Sequence, residues 1–341
     1  MFRNCIRLNQ HPKNIVIRMP NWLGDMVMAA PAVQLLRQGF PQSKFTLICK
    51  KGLEDVLKTF EGEFEIIIFN KSEFKGLAGI WHFGKLLSLS KEDCFVCFPN
   101  SMSSALMAYA SGAGNRIGYA NEFRGLLLTD KPKWDKGLHR VEQYFQLVKS
   151  AFKFTDATFN EVRLQSQEVW KEFDATDSLL VSFNSEAKSR RMPIGKAISI
   201  LNTIKDLPFK QIILIGGPKD IVFNEFIIRG TNESHIISIA GQTNLAQLAA
   251  LMSNAKALLT VDSGPSHLAN ALRLQTVVMH GADDEHNTEA YNKAYVHGLR
   301  YGKLPCEPCV KNTCQLGDES PCLLNLDELL IKEKLSQILM T

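Results

Sequence analysis

Short apolar runs alternate with helical patterns along the first half of the chain. Continuous apolar runs, which are typical of strands buried on both faces, cover residues 15–17, 45–48, 66–69 and 95–98. Patterns with helical spacing cover residues 27–36, 103–110 and 139–152. Because strands alternate with helices, the sequence predicts βαβ units and a parallel sheet.

The same alternation restarts after a polar segment at residues 165–177, which we interpret as an interdomain connection. Further strands are predicted at residues 179–183, 211–215, 257–261 and 276–279. The predicted fold class is therefore α/β, with two Rossmann-like domains that face a central cleft. The predicted boundaries are 1–165 for the first domain, 166–177 for a linker and 178–341 for the second domain, which includes a cysteine-rich segment at 306–322 and a C-terminal helix. In such sheets, ligands bind beyond the carboxyl ends of the strands.

Composition narrows the class of protein. The chain has 341 residues, of which 45% are hydrophobic and 22% charged, as expected for two globular domains. A net charge of +4 is too small to indicate a nucleic-acid partner. Residues 1–13 are polar and lack the apolar core of a signal peptide, so we expect a cytoplasmic protein. A G-x-G-x-x-G motif after the first strand and a P-loop lysine motif are both absent, which argues against dinucleotide oxidoreductases and ATPases.

The loop after the first predicted strand contains Asn21-Trp22-Leu23-Gly24-Asp25. Gly24 would permit a tight turn there, and Asp25 would then project from the edge of the sheet. A carboxylate in that place can accept a proton from an attacking hydroxyl group. The alternative is that Asp25 only caps the next helix, and the sequence favours neither role over the other.

A second polar loop follows the strand at 257–261 and contains Asp262-Ser263-Gly264-Pro265-Ser266-His267. Pro265 predicts a helix start, where free backbone N–H groups favour an anion. Asp262 or Ser263 could cap this helix, and His267 could donate to a phosphate. The combination favours a diphosphate site over a plain capped turn.

Basic residues cluster in two further places. Lys188, Arg190 and Arg191 precede a predicted helix start, where fixed cations can neutralise a leaving diphosphate without a metal. Basic residues of the first domain could hold the carboxylates or phosphates of an acceptor, and these are Arg116, Arg124, His139 and Arg140. For any one of these residues, a solvated surface position is the alternative.

The chain has eight cysteines, and four of them lie close together in sequence near its end. These are Cys306, Cys309, Cys314 and Cys322. Four thiols with one C-x-x-C pair can form a structural zinc site, but we favour free or oxidised thiols in a surface loop. Cys94 and Cys97 lie in a predicted strand and are expected in the core. The sequence contains no D-x-D motif, the pattern that would indicate a catalytic metal.

Taken in order, these segments resemble the heptosyltransferases that build the inner core of lipopolysaccharide. The motifs are N-W-L-G-D-M, then R-I-G-Y and R-G-L-L-L-T, then S-R-R-M-P, and finally V-D-S-G-P-S-H-L-A. The segment C-E-P-C-V-K-N-T-C-Q-L-G is similar to a cysteine-rich tail in part of that family. The resemblance runs from Asn14 to Leu330, and the N-W-L-G-D motif resembles the type II members more than the type I members.

The resemblance implies a GT-B fold and an inverting transfer of heptose from ADP-heptose to the heptose-Kdo-lipid A core. It implies Asp25 as the base, Arg190 as a diphosphate ligand and Asp220 near the ribose. It also implies that the ADP is held by Asp262, Ser263, Gly264 and His267. No cofactor is required, and the protein would reach its lipid acceptor by peripheral contact with the cytoplasmic face of the inner membrane. Cations near Arg116, Arg124 and Arg140 could supply that contact.

The sequence departs from the family pattern in three places. Asn184-Ser185-Glu186 replaces the usual P-G-A, Arg190 and Met192 replace the usual lysine and tryptophan, and Val261 replaces an asparagine. Two alternatives therefore stay open. One is another GT-B sugar-nucleotide enzyme, with a different donor or acceptor or with epimerase activity. The other is a non-enzymatic relative that acts as a metal-binding or assembly module.

Overall fold

The computed structural model describes residues 12–168, 170 and 173–340. The polar segment before residue 12 and part of the predicted linker, at 169, 171 and 172, lie outside the described residues. The chain divides into two compact units, Met1–Asn160 and Glu161–Thr341. The N–H of Val162 donates to Asn292 and that of Leu164 to Ala271, so the chain is already part of the second unit at these residues.

The first unit is built on a five-stranded parallel sheet in the order β3-β2-β1-β4-β5. Its strands are β1 (Asn14–Arg18), β2 (Lys44–Lys50), β3 (Glu65–Phe69), β4 (Cys94–Cys97) and β5 (Asn115–Ile117). Its helices are α1 (Leu23–Met28), α2 (Ala30–Gly39), α3 (Gly76–Leu86), α4 (Met102–Ala110) and α5 (Arg140–Phe152), with 3₁₀ turns at Glu54–Thr59 and Glu122–Leu126. Strand order reverses at β1 and β4, so the loops after these strands are the expected place for a ligand.

The second unit contains a six-stranded parallel sheet in the order β11-β10-β9-β6-β7-β8. Its strands are β6 (Leu179–Ser182), β7 (Ile212–Leu214), β8 (Ile236–Ser238), β9 (Ala257–Val261), β10 (Thr276–His280) and β11 (Val296–Arg300). Its helices are α6 (Ile194–Ile204), α7 (Ile221–Thr231), α8 (Leu245–Asn254), α9 (Gly264–Ala271), α10 (Glu285–Thr288), α11 (Pro321–Leu324) and α12 (Glu328–Leu339). Short 3₁₀ turns lie at Lys188–Arg190, Pro218–Asp220 and Lys293–Tyr295. Here strand order reverses between β6 and β9.

Continuous burial explains why the strands were visible in the sequence. Every residue of β4, β6, β9 and β10 is buried, which is typical of parallel strands covered by helices on both faces. Cys94 and Cys97 are core residues of β4, as predicted. Because the apolar runs are unbroken, their positions follow from the sequence with little ambiguity.

The single helix predicted at residues 27–36 is wrong. The chain forms two helices, because α1 ends at Met28 and α2 begins at Ala30. Pro31 lies in the first turn of α2 and has no N–H to extend the helix that precedes it. Gly24 is a helical residue of α1, so the tight turn predicted for it is absent.

Among the residues that the structure describes, none of the helices combines the length and the apolar character needed to cross a bilayer.

Candidate functional site

The loop after β1 is held in place by Arg18, the last residue of that strand. Its buried guanidinium donates to the carbonyl oxygens of Met19 and Ile48, at 2.7 and 3.1 Å, and to Asn21 Oδ1 at 2.6 Å. Burial lowers the pKa of Arg18 to about 10, so the side chain remains a cation at neutral pH. Arg18 thereby fixes the backbone that leads into α1, the helix that carries the Asp25 carboxylate.

Asp25 lies in the first turn of α1, and its side chain is half-buried. Residue Trp22 occupies the N-cap position, and no side chain caps the helix, so a capping role for Asp25 is wrong. Instead the Tyr144 hydroxyl donates to Asp25 Oδ1 at 3.1 Å. Burial, followed by the charge of Asp25, raises the pKa of Tyr144 well above its ordinary value, so the phenol stays a neutral donor.

Helix α5 brings Tyr144 to Asp25 because one face of the helix is apolar. Val141, Phe145 and Val148 are buried on that face, and Tyr144 lies among them with its ring 5.2 Å from that of Phe98. Phe98 directly follows β4, so the hydroxyl reaches the carboxyl edge of the sheet between β1 and β4. We call Asp25, Tyr144 and Arg140 the first-unit site.

Arg140 opens α5 and acts electrostatically on the same Tyr144 hydroxyl. Its Nε is buried and makes no hydrogen bond within the described part of the chain. A buried guanidinium N–H without a partner is costly unless a ligand or water accepts from it. The structure therefore brings one predicted acceptor residue, Arg140, close to the predicted base.

The other predicted acceptor residues make their hydrogen bonds within the protein. Arg124 is 1% exposed, and its guanidinium donates to the carbonyls of Tyr119 and Pro99 and to Ser104 Oγ. Arg116 is half-buried and donates to the carbonyls of Ala113 and Leu127. His139 is the N-cap of α5, where its Nδ1 accepts from the Val141 N–H. Arg124 thus holds protein oxygens together, and its burial is inconsistent with an exposed cationic surface.

In the second unit, Arg190 and Asp262 meet at the carboxyl edge of the sheet. Arg190 belongs to the 3₁₀ turn after β6, and Asp262 directly follows β9, the neighbouring strand. Arg190 Nη1 lies 2.7 Å from Asp262 Oδ2. The carboxylate side chain is 4% exposed, whereas the arginine side chain is 33% exposed. The pair therefore presents a partly accessible guanidinium that rests on a buried carboxylate, at the point where the strand order reverses.

Burial and the charge of Asp283 raise the pKa of Asp262 to about 6, although Arg190 opposes this shift. Ser263 is the N-cap of α9 and Gly264 its first residue, with Pro265 in the first turn as predicted. The Ser263 side chain does not cap the helix, because its hydroxyl donates to the Val261 carbonyl at 3.2 Å. His267 is 7% exposed in the same helix. Lys188 is exposed at the start of the 3₁₀ turn.

Asp220 is fixed by two contacts beside this site. Its carboxylate accepts from the Gly217 N–H at 3.0 Å and from Arg191 Nη2 at 3.3 Å. Asn184 stands where the family pattern has its proline, and its buried Nδ2 donates to the Ile215 carbonyl at 3.3 Å. The Oδ1 of Asn184 is buried and makes no hydrogen bond within the described residues. The changed residue therefore ties the loop after β6 to the end of β7.

Gly216 leaves no room for a side chain at this point. A Cβ atom there would lie 2.8 Å from the Asp220 Cβ and 2.9 Å from Asn184 Nδ2. We expect Gly216→Ala to displace Asp220 and to raise the KM for the donor that the resemblance implies by about two- to tenfold, which corresponds to one or two hydrogen bonds. Steady-state kinetics measures this effect. Gly195→Ala is the matched control, because nothing lies within 4 Å of a Cβ at that position. An equal KM in the two variants would contradict the prediction.

A buried ionic network continues along the neighbouring strands. His280 ends β10 and donates from Nδ1 to Asp283 Oδ2, and both residues are almost fully buried. Burial lowers the pKa of His280, but the hydrogen bond and charge of Asp283 outweigh it and raise the pKa above its ordinary value. Arg300 ends β11 and donates to the Asp283 carbonyl at 2.7 Å and to Glu285 at 3.0 Å. The network holds the loop after β10 beside Asp262.

The structure does not bring three of the four C-terminal cysteines together as metal ligands. Cys306 is exposed, Cys309 and Cys314 are half-buried, and Cys322 is buried in α11. Within the described ranges, no three side chains of histidine, cysteine, aspartate or glutamate converge as metal ligands. The zinc site is therefore not found, because only one of the four thiols is drawn into the core while the rest follow an exposed loop.

Sequence reasoning missed Tyr144, His280, Asp283 and Arg300. His280, Asp283 and Arg300 lie at or just after the ends of β10 and β11, so the carboxyl-end rule contained a signal for them. Tyr144 had no such signal, because it lies among the apolar residues of an ordinary amphipathic helix, 119 positions from its partner.

Comparison with known proteins gives a consistent picture. The family model for glycosyltransferase family 9 (heptosyltransferase) matches residues 80–319. The chain is 26% identical to lipooligosaccharide heptosyltransferase 2 of Haemophilus ducreyi, over 76% of this chain and 80% of that protein. It is 25% identical to lipooligosaccharide heptosyltransferase 2 of Haemophilus influenzae, over 96% of this chain and 99% of that protein.

A solved structure has the same fold. The E. coli ADP-heptose LPS heptosyltransferase II matches with a TM-score of 0.77 and 20% identity, over 96% of this chain and 98% of that chain. The predicted GT-B fold is therefore confirmed.

Proposed function

The chain belongs to glycosyltransferase family 9, the heptosyltransferases, and we propose that it transfers heptose from ADP-heptose to the heptose-Kdo-lipid A core of lipopolysaccharide. The relatives that support this specificity are themselves named lipooligosaccharide heptosyltransferase 2, and the matching E. coli structure is named for ADP-heptose. The observation that carries the proposal is the Arg190–Asp262 contact at 2.7 Å, since it leaves a cation partly accessible at the switch point of the second sheet.

The second unit supplies the donor site in this proposal. Arg190, with Lys188 nearby, neutralises the diphosphate, and a guanidinium can do so through two parallel hydrogen bonds. The first turn of α9, from Ser263 and Gly264 to His267, binds the ADP, and Asp262 orients Arg190. Asp220 accepts from the ribose. Charge develops on the departing ADP during transfer, so a fixed cation favours the transition state over the bound donor.

The first unit supplies the acceptor site. Asp25 accepts the proton of an acceptor hydroxyl, and that oxygen attacks the anomeric carbon of the donor in a single displacement with inversion. Tyr144 donates to one carboxylate oxygen and leaves the other for the incoming proton. Arg140, which is half-buried beside the Tyr144 hydroxyl, binds an anionic group of the acceptor. The reaction needs no cofactor, because Arg190 provides the positive charge that the leaving group requires.

The acceptor is a lipid, so the protein must work at a membrane surface. We propose peripheral contact with the cytoplasmic face of the inner membrane. Arg124 cannot supply this contact, because it is buried among protein oxygens. The contact therefore depends on other residues of the first unit.

A transfer assay tests the proposed function. The purified protein is given ADP-heptose and a heptose-Kdo-lipid A acceptor, with and without EDTA, and the product mass is measured. The expected result is a gain of one heptose that EDTA does not reduce. A protein that binds ADP but transfers nothing would indicate another donor or acceptor, and turnover of the sugar nucleotide without an acceptor would indicate an epimerase. Absence of both ADP binding and transfer would favour a non-enzymatic relative.

A further inference from the structure

Helix α3 of the first unit is apolar and yet lies mostly in solvent. Its eleven residues include two polar side chains, His82 and Lys85, but only Phe83 and Gly84 are buried. Leu77 is 66% exposed and Trp81 is 40% exposed. A surface helix normally turns its apolar residues to the core and its polar residues to water, so this helix exposes apolar surface that folding does not use.

The exposed apolar surface continues onto two neighbouring elements. On α4, Met102 and Tyr109 are exposed, and the Tyr109 ring lies 6.0 Å from that of Trp81. The 3₁₀ turn Glu122–Leu126 packs against α4 and exposes Phe123 and Leu126 by 79% and 82%. We call this surface the apolar face, and its residues are Leu77, Trp81, Met102, Tyr109, Phe123 and Leu126.

Buried Arg124 explains why the turn projects its apolar residues outward. The Arg124 guanidinium donates to the Pro99 carbonyl at 3.1 Å and to Ser104 Oγ at 3.3 Å, both near the start of α4. The arginine of the turn therefore points inward while Phe123 and Leu126 point away from the core. The exposure is built into the fold and does not depend on a loose loop.

Each part of the apolar face carries a cation. Lys85 Nζ lies 5.6 Å from the centre of the Trp81 ring, and the Arg116 guanidinium lies 5.4 Å from that of Tyr109. In the 3₁₀ turn, the side chain of Lys131 passes Gly125, with its Cδ 3.7 Å from where a Cβ would lie. Aromatic rings and long cationic side chains around an apolar surface are the combination that binds at the boundary of a lipid headgroup layer.

We propose that the apolar face docks the protein onto an anionic membrane surface. Phe123 and Leu126 enter the headgroup region, and Lys85, Arg116 and Lys131 contact lipid phosphates. A second copy of the chain fits less well, because a symmetric contact would bring two sets of cations and no anionic group of the apolar face into one interface. The inference rests on the proposed function for its purpose, access to a lipid acceptor, but its observations are independent of the reaction.

Vesicle sedimentation with the full chain tests the proposal. Vesicles of phosphatidylcholine alone are compared with an equimolar mixture of phosphatidylcholine and phosphatidylglycerol, in the absence of donor and acceptor. We expect binding to the anionic vesicles that weakens with added salt, and Phe123→Ser/Leu126→Ser to bind at least about tenfold more weakly. Lys131→Glu should lose affinity for anionic vesicles only. Phe123, Leu126 and Lys131 are all exposed, so these variants should keep the fold.

Matched controls lie on the second unit. Phe226→Ser/Leu329→Ser removes apolar residues that are 54% and 72% exposed, and Lys332→Glu reverses a charge on α12. These variants should bind vesicles like the wild type. Equal loss in both sets, equal binding by all variants, or a wild type that self-associates through this face without binding vesicles would each overturn the proposal.

The same variants separate this inference from the proposed function. Phe123→Ser/Leu126→Ser should transfer heptose normally to a delipidated acceptor and poorly to an acceptor embedded in vesicles. A wild type that transfers heptose but binds no vesicles rejects the docking surface alone. A wild type that binds vesicles through this face but transfers no heptose rejects the proposed function alone.

Discussion

Asp25→Asn is expected to lower kcat for heptose transfer by about 10²- to 10⁴-fold, the usual contribution of a general base. The amide has the shape of the carboxylate and can still accept from Tyr144, so the local structure should be preserved. It cannot accept a proton from the acceptor hydroxyl. Donor binding should not change, because Asp25 belongs to the first unit and the proposed donor residues to the second.

Three measurements check this prediction together. Initial rates give kcat, calorimetry gives the Kd for ADP, and thermal unfolding gives Tm. The expected result is a collapse of kcat with both other quantities unchanged. A decrease of less than about tenfold would show that another group accepts the proton, since a positioned base contributes more than that.

Tyr144→Phe is the companion variant, because it removes one hydroxyl and leaves the buried ring in place. Without that donor, the Asp25 carboxylate loses a hydrogen bond that fixes its orientation. We therefore expect kcat to fall by about two- to tenfold with an unchanged Kd for ADP. A residue that served only to pack the core would lower Tm but would leave kcat at the wild-type value.

The sequence predicts the sheets better than the helices. Strands such as β9 and β10 are buried along their whole length, so their apolar runs stand out without any periodicity. Helix α3 was missed because it is apolar on several faces and contains three glycines, which hides the helical spacing. The property that concealed α3 from sequence reasoning is the exposed apolar surface that we propose as a membrane contact.

The sequence predicts which candidate residues lie close together best where chemistry and topology agree. Arg190 follows β6 and Asp262 follows β9, the two neighbouring strands at which the strand order reverses. Ligands of parallel sheets bind at the carboxyl ends of such strands, so both residues are expected at the same edge. The structure brings them into contact. Arg124 shows the limit of this reasoning. Its charge suggests a surface position, and only the three-dimensional arrangement of the carbonyls of Pro99 and Tyr119 shows why it is buried.

Arg190→Ala is expected to lower kcat by about 10²- to 10³-fold, as the loss of one fixed group that stabilises transition-state charge. Arg190→Lys should recover part of this loss, because a lysine keeps the charge but not the paired geometry of a guanidinium. Such a decrease alone would not separate diphosphate binding from a structural role, since Arg190 also pairs with the buried Asp262. The pH dependence of stability and a double variant separate them.

The sign of the stability effect follows from the raised pKa of Asp262, about 6 in the folded protein. The pKa of an aspartate in the unfolded chain is near 4. At pH values between about 4 and 6, the folded state therefore binds more protons than the unfolded state, and the contribution of Asp262 to the free energy of unfolding falls as the pH rises. Arg190 opposes the raised pKa, and its removal should widen the window upward. We therefore expect Arg190→Ala to lower Tm more at pH 8 than at pH 5. At pH 8, the free energy of unfolding should fall by about 1–3 kcal/mol.

Arg190→Ala/Asp262→Asn removes the buried charge together with its partner, so Tm at pH 8 should return towards the wild-type value. Transfer activity should not return, because the diphosphate still lacks the guanidinium. Thermal unfolding and initial rates of the three proteins at both pH values distinguish the two roles. Recovery of activity together with Tm would show that Arg190 serves only to neutralise Asp262. Recovery of Tm alone would indicate that the loop after β6 binds the leaving group directly, and that the buried carboxylate holds the cation in place for it.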